Sequence, residues 1–240
     1  MAPSDPTRML PSLADLRLLH FADSAMPIGA LAHSFGLESL ASRELLQPSS
    51  LSGFLREFLL EAGLVEAVFC RQSFRLAAPQ QGAFSPDRWL ELNGLLSARK
   101  LARESRNGSA SLGQNFLIAV ATLGNFPILR EALRASKDSA GLIHHSTAFG
   151  LATGALGLNE DRAVLSFLHQ SATSLIGACQ RLMPLGQTEA THILWNLKPA
   201  MIETAEHSAA CTLDDACSFL PLPDWGAMEH PALLTRLFVS

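Results

Sequence analysis

The chain has 240 residues, 18 Lys and Arg against 22 Asp and Glu, a net charge of −4 and no tyrosine. Its 17% charged residues fall below the usual ~25%, and its mean hydropathy is +0.20. This excludes a disordered chain, which combines low hydrophobicity with high charge, and argues against nucleic-acid binding, which needs a basic stripe.

The length fits one domain or at most two small ones, with a core that needs no disulfide or metal. Two charge-free stretches raise the question of a membrane. The stretch over 107–129 is broken by Gln114, Asn115 and Pro127, and that over 139–159 by His144, His145 and four glycines. Neither reads as a spanning helix. The start, MAPSDPTRML, lacks a basic region followed by a long apolar core. No signal peptide is read there, and a cytoplasmic location is expected. Cys70, Cys179, Cys211 and Cys217 are scattered and are expected to be packed thiols. The apolar surplus then implies a large core or apolar surface that partners cover.

Residues 1–11 hold three prolines and are expected to form a loose arm. Ser12-Leu13-Ala14-Asp15 fits a capping box, opening a helix with Leu13, Leu16 and Leu19 on its apolar face. Pro27 and Gly29 break that pattern, and a second helix is expected from near Ala30 through Leu40. After the turn at Pro48-Ser49-Ser50, Leu51, Phe54, Leu55, Phe58, Ala62, Val65 and Phe69 recur at helical spacing. Residues 79–86 read as a loop. Ser85-Pro86-Asp87 then starts a helix with Trp89, Leu92, Leu95 and Leu96 on its buried face.

Asn107-Gly108-Ser109 is expected to interrupt the chain before a helix bearing Leu112, Phe116, Leu117 and Val120. Residues 124–127 form a turn, and 141–156 a helix of small residues. Asn159 is the candidate N-cap of a helix carrying Val164, Phe167, Leu168, Leu175 and Ile176, which Pro184 stops. Residues 187–210 form one more helix, bent or interrupted at Pro199. The tail, 221–240, holds Pro221, Pro223, Pro231 and a short apolar run from Leu233 to Phe238. No stretch alternates as a strand would. The expected class is all-α: a compact bundle of about eight to ten helices in a single domain, 12–220, flanked by the arm and the tail.

Few motifs carry chemistry. No glycine precedes a lysine, so there is no phosphate-binding P-loop. There is no His-Glu-x-x-His, and Cys211 and Cys217 do not have Cys-x-x-Cys spacing. His144 and His145 are adjacent and would point about 100° apart on a helix. The plain reading is a helix-start pair, one ring in solvent and one on a carbonyl; His169 or His192 could complete a metal site. Ala32-His33-Ser34-Phe35-Gly36 approximates a nucleophile elbow but follows no strand. A helical hydrolase using Ser34, or a histidine-bound metal, stands as the alternative to a non-catalytic scaffold. Gly150, Gly154 and Gly157 make a small-residue face for close helix approach, within the domain or across a dimer. Arg103-Glu104 with Arg106 reads as a solvated helix end, and Glu229-His230 as ordinary surface. Arg236 is a lone cation in an apolar tail that docks on its own domain or on a partner.

Several segments, in order, resemble the urease accessory protein UreF family. They are Met26-Pro27-Ile28-Gly29; His33-Ser34-Phe35-Gly36-Leu37-Glu38; Arg103-Glu104 with Leu112-Gly113; His145-Ser146-Thr147-Ala148-Phe149-Gly150; Met183-Pro184-Leu185-Gly186-Gln187; and Glu229-His230 with Arg236-Leu237-Phe238-Val239-Ser240. The resemblance spans residues 16 to 240. The resemblance implies an all-α homodimer that is not an enzyme and needs no cofactor. It bridges UreD (UreH in some organisms) and the nickel-carrying GTPase UreG, so that the assembly delivers nickel to apo-urease. It further implies that the tail becomes ordered when UreD binds. Glu229, His230, Arg236, Leu237 and Phe238 would then lie near partner contacts, with Pro27, Gly29, His33, Ser34, Gly36 and Glu38 supporting the same surface. Leu31 departs from the family, where an aromatic is frequent.

Overall fold

The structure, a computed structural model, describes residues 13–77 and 83–239, all but the side chain of Leu31. The expected N-terminal arm, Ser12 of the capping box, the Leu31 contact and the start of the loop at Pro79 therefore lie outside the described residues.

The described chain is helical, with no strand. In order come α1 (Leu13–Phe21), α2 (Leu37–Ser42), α3 (Pro48–Phe58), α4 (Leu64–Ala77), α5 (Pro86–Arg99), α6 (Arg103–Thr122), α7 (Pro127–Asp138), α8 (His145–Ala155), α9 (Glu160–Leu182), α10 (Gln187–Asn196), α11 (Lys198–Ala210) and α12 (Pro221–Glu229). A π turn over Leu59–Gly63 joins α3 to α4 as one rod. Only Leu197 separates α10 from α11, at the step foreseen beside Pro199. Counting each joined pair as one gives ten helices, within the expected range. Among the described residues no helix is long and apolar enough to cross a membrane.

Several boundaries follow local chemistry. Ser85 caps α5, its hydroxyl accepting from the Arg88 N–H at 3.4 Å, with Pro86 at the first helical position. Asn159 caps α9 in the same way through the Arg162 N–H, at 3.0 Å. Gly157 (φ 63°) ends the α8 segment: its N–H donates to the Gly154 carbonyl and that of Leu158 to the Thr153 carbonyl. This is a Schellman cap, so Gly157 is a terminator rather than part of a packing face.

Three expectations are corrected. The second helix does not run unbroken from Ala30: a 3₁₀ turn over Ala30–Ala32 gives way to extended His33, and Phe35 and Gly36 take positive φ (51° and 91°) before α2 begins. On α1 the buried residues are Leu18 and Phe21, while Leu13, Leu16 and Leu19 are exposed. Asn107-Gly108-Ser109 does not interrupt the chain; α6 runs through it. Gly108 and Ser109 are buried there, and a Cβ at Gly113 one turn on would meet the Ile143 carbonyl oxygen at 2.2 Å. The small residues of α6 thus serve close packing against the start of α8, and that burial outweighs their weak helix propensity.

At the centre, α4 and α8 pack backbone to backbone. A Cβ at Gly150 would meet the Cys70 carbonyl oxygen at 2.1 Å, and one at Gly154 the Phe74 carbonyl oxygen at 2.3 Å. Both glycines therefore act inside the domain. Phe69, Trp89, Phe116 and Phe149 are fully buried around this pair, and Trp89 donates its indole N–H to Ser136 at 2.9 Å. Cys70 and Cys179 are packed as expected, but Cys217 is exposed and Cys211 half-buried.

Candidate functional site

The segment from α12 to residue 239 lies across α2 and the N-terminal end of α6, and this juxtaposition assembles most of the residues singled out in the sequence. Contact begins at two glycines that cross face to face. A Cβ on Gly36 would meet the Pro223 carbonyl oxygen at 2.6 Å and the Ala227 nitrogen at 2.7 Å. One on Gly226 would meet the Gly36 carbonyl oxygen at 2.6 Å. Gly36 is doubly required, because its φ of 91° is also one that L side chains rarely adopt.

Beyond this crossing, α12 leads into a 3₁₀ turn (His230–Ala232) that buries His230 completely. Its ring is held from both sides. Nδ1 lies 2.6 Å from Glu104 Oε2 on α6, and Nε2 lies 2.8 Å from Glu38 Oε2 on α2. Glu38, itself buried, also accepts the Leu237 N–H at 2.5 Å and the Phe238 N–H at 3.1 Å. The Val239 N–H donates to the Ala32 carbonyl at 2.8 Å, tying the end of the segment to the 3₁₀ turn after Gly29. Phe238 is buried, with the Arg181 guanidinium 4.4 Å from its ring centroid.

Charge at the rim is looser. Arg236 is half-exposed, its Nη1 3.9 Å from Glu104 Oε1. Glu229 pairs with Arg43 at 3.4 Å in an exposed setting, where such a pair contributes little. Two plain readings are thereby corrected: Glu104 is not a solvated helix end, and His230 is not surface. Pro27 and Gly29 are exposed, whereas Ile28 between them is buried and accepts from the Asn115 side chain at 3.1 Å.

A cavity of about 300 Å³ opens beneath the segment. His33, Glu66, Lys100 and His145 line it below, Cys217 lines it from the residues that lead into α12, and Asp224 lines it from α12 itself. Burial lowers the His33 pKa. Burial would raise Glu66, but its ion pair with Lys100 outweighs this and holds the carboxyl below its ordinary range. The His145 ring sits among Phe116, Phe149 and Phe167, with centroids 5.3–6.4 Å away, and burial pushes its pKa down to about 4. His144 is fully buried, bonded to Ser97 at 2.7 Å and Ser109 at 3.1 Å, and is also pushed down to about 4. The plain reading of one ring in solvent and one on a carbonyl is corrected: His144 is buried between two hydroxyls, and His145, partly buried, lines the cavity among aromatic rings.

The hydrolase alternative finds no geometry. Ser34 is buried, and its hydroxyl accepts a long contact, 3.5 Å, from the Glu38 N–H in the first turn of α2. The chain enters it from a 3₁₀ turn rather than a strand. Among the described residues no three His, Cys, Asp or Glu side chains are grouped to hold a metal. What the segment presents to the outside is apolar. Leu222, Trp225 and Met228 face outward from α12, with exposed Phe219 and Leu234 on either side, while Gly36, Glu38, His230 and Glu104 hold the segment from below. No single-sequence signal pairs Glu104 with His230, 126 positions away, or brings Arg181 to Phe238.

Comparison with known proteins gives the family. The UreF family model matches residues 46–198. "Urease accessory protein UreF" of Corynebacterium glutamicum (strain R) is 30% identical over 227 residues, covering 95% of this chain and 98% of that protein. The protein of the same name from Haemophilus influenzae (strain PittGG) is 29% identical over 232 residues, 95% of this chain and 97% of its own. That from Actinobacillus pleuropneumoniae serotype 5b (strain L20) is 28% identical over 225 residues, 93% and 97% respectively. These relatives are named for an accessory role and not for a catalysed reaction. With a family model over most of its length and relatives aligned nearly end to end, the chain belongs to the UreF family.

Proposed function

We propose that this chain is a non-catalytic scaffold of urease maturation in the cytoplasm. It works as a homodimer that links UreD (or UreH) to the GTPase UreG, so that the assembly delivers nickel to the urease apoprotein. The carrying observation is the outward apolar face of α12 and its flanks, Phe219, Leu222, Trp225, Met228 and Leu234. A soluble protein rarely displays such a cluster unless a partner covers it. We assign this face to UreD. Arg236 stands beside it with its guanidinium half-exposed, suited to bond a partner's acceptors while its stem packs. In this reading Arg236 docks a partner and does not act on UreG's phosphoryl transfer.

The test is co-expression with UreD and UreG, followed by sizing and a nickel-dependent urease assay. Arg236→Ala is expected to weaken co-elution with UreD and to lower urease activation, with the melting temperature of the isolated chain unchanged. Deletion from Pro231 onward is expected to abolish co-elution. A full complex and full activation in both variants would overturn the assignment. GTP turnover by UreG, measured with wild type and with Arg236→Ala at saturating complex, is expected to be equal.

A further inference from the structure

Between α11 and α12 the chain runs over residues 211–220, and this strap carries the two cysteines that the core does not enclose. Cys217 is exposed and Cys211 half-buried. Cys70 and Cys179 are sealed in the core, where burial pushes both thiols up, Cys179 to about 12. The strap folds back on itself between the first pair. The Thr212 N–H and hydroxyl donate to Asp215 Oδ2 at 2.8 and 2.7 Å, and the Ala216 N–H donates to the Leu213 carbonyl at 3.3 Å. A backbone bond from residue i+3 back to i marks a turn whose ends lie within about 7 Å. The turn is also pinned from outside. Arg99 at the end of α5 donates from Nε to the Ala216 carbonyl and from Nη2 to the Leu213 carbonyl, both at 2.8 Å. Ala216 is buried in one cluster with Val65, Val68 and Leu92. All of these anchors precede α12, so the turn is held whatever the residues beyond it do.

A disulfide needs Cα atoms about 4.4–6.8 Å apart, a span that a turn of this kind supplies. Cys211 and Cys217 stand on its two limbs, just before Leu213 and just after Ala216. The Cys211 thiol is raised by burial first, then by the charges of Asp215 and of Cys217, so the two cysteine side chains lie within electrostatic reach. We propose that Cys211 and Cys217 form a thiol–disulfide exchange site whose co-reactant is a low-molecular-weight disulfide of the glutathione type. The exposed Cys217 thiolate attacks one sulfur of that disulfide, the Cys217–glutathione bond forms, and one glutathione thiolate leaves. The Cys211 thiolate then attacks the Cys217 sulfur, the internal bond forms, and the second glutathione thiolate leaves. Two cysteine thiols are oxidised, one disulfide is reduced to two thiols, and the protons pass to the departing thiolates. The new bond closes a ring at the root of the residues that carry Phe219 and Trp225, and excess glutathione reopens it. This site is independent of the scaffold reading and of any partner's identity.

The test equilibrates the full chain in buffers of varied oxidised-to-reduced glutathione ratio, quenches with acid, alkylates, and maps the cysteines by mass spectrometry. The readout is the effective concentration of the pair. Its reference is a synthetic peptide of residues 207–221, which holds the same two cysteines without the fold. The pinned turn is expected to raise the folded chain at least about tenfold above the peptide, since a short unconstrained loop gives only mM values. Arg99→Met, which frees the Leu213 and Ala216 carbonyls, is expected to bring the value back toward that of the peptide. In Cys211→Ser, glutathione is expected to stay on Cys217, whereas wild type passes on to the internal bond and keeps Cys70 and Cys179 reduced. A folded chain at or below the peptide value overturns the proposal, because the native strap then holds the thiols apart. So does wild-type protein that retains glutathione on Cys217 or joins two chains through it.

Discussion

Gly150→Ala is expected to destabilise the fold by about 3 kcal/mol, at the upper end for an overpacked core. The new Cβ would lie 2.1 Å from the Cys70 carbonyl oxygen and 3.0 Å from the Phe74 nitrogen. Both are backbone atoms of α4, so no rotamer change relieves the clash and the two helices must part. Parting them loosens the packing of Phe149 and Phe116, whose rings stack with centroids 5.3 Å apart. The drop in melting temperature is expected on the order of 10 °C for a chain of this size. Gly177→Ala on α9 is the matched control. A Cβ there meets nothing within 4 Å, so the change is expected to stabilise by about 1 kcal/mol through helix propensity. Opposite signs from the same chemical change, read by thermal or urea unfolding, would confirm that α8's glycines serve close packing. Equal effects would refute it.

The second large effect is with pH. An unfolded chain takes up a proton at His144 near the ordinary value of 6.5, whereas the folded ring, buried between Ser97 and Ser109, resists until about 4. Between those values the unfolded state binds more protons, so stability falls as the pH falls. The full shift corresponds to about 3 kcal/mol from His144, present above pH 6.5 and lost toward pH 4. Urea unfolding at pH 7 and pH 4 should show this loss. Carboxylates titrate in the same range, so the decisive quantity is the difference from His144→Gln, whose acid loss is expected to be smaller by about that amount. An identical acid loss in both proteins would refute the assignment.

Much of this architecture was readable from local chemistry. Ser85 and Asn159 show as caps, because their hydrogen bonds reach only three residues along the chain. The bend beside Pro199 shows for the same reason. Asn107-Gly108-Ser109 misled, since its small residues look like punctuation until α8 is placed against them. The glycines of α8 were recognisable as a close-contact face, but the partner, α4, lies some eighty positions earlier and leaves no mark on the spacing. The candidate site was legible one residue at a time. Glu38, Glu104, His230, Arg236 and Phe238 each drew notice, yet Glu104 and His230 taken alone look like solvated surface. Only the fold brings them within hydrogen-bond reach.

The positions of the three tryptophans also have a practical consequence. With no tyrosine in the chain, ultraviolet emission comes almost wholly from these indoles. Trp89 is sealed in the core and bonded to Ser136. Trp195 is exposed, with the Lys198 ammonium 3.6 Å from its ring centroid. Trp225 lies on the outer face of α12. An iodide quencher thus divides the emission into a silent component and two accessible ones. Of the accessible pair, only Trp225 is carried on the face proposed to meet a partner, so an unlabelled protein would report on that proposed contact.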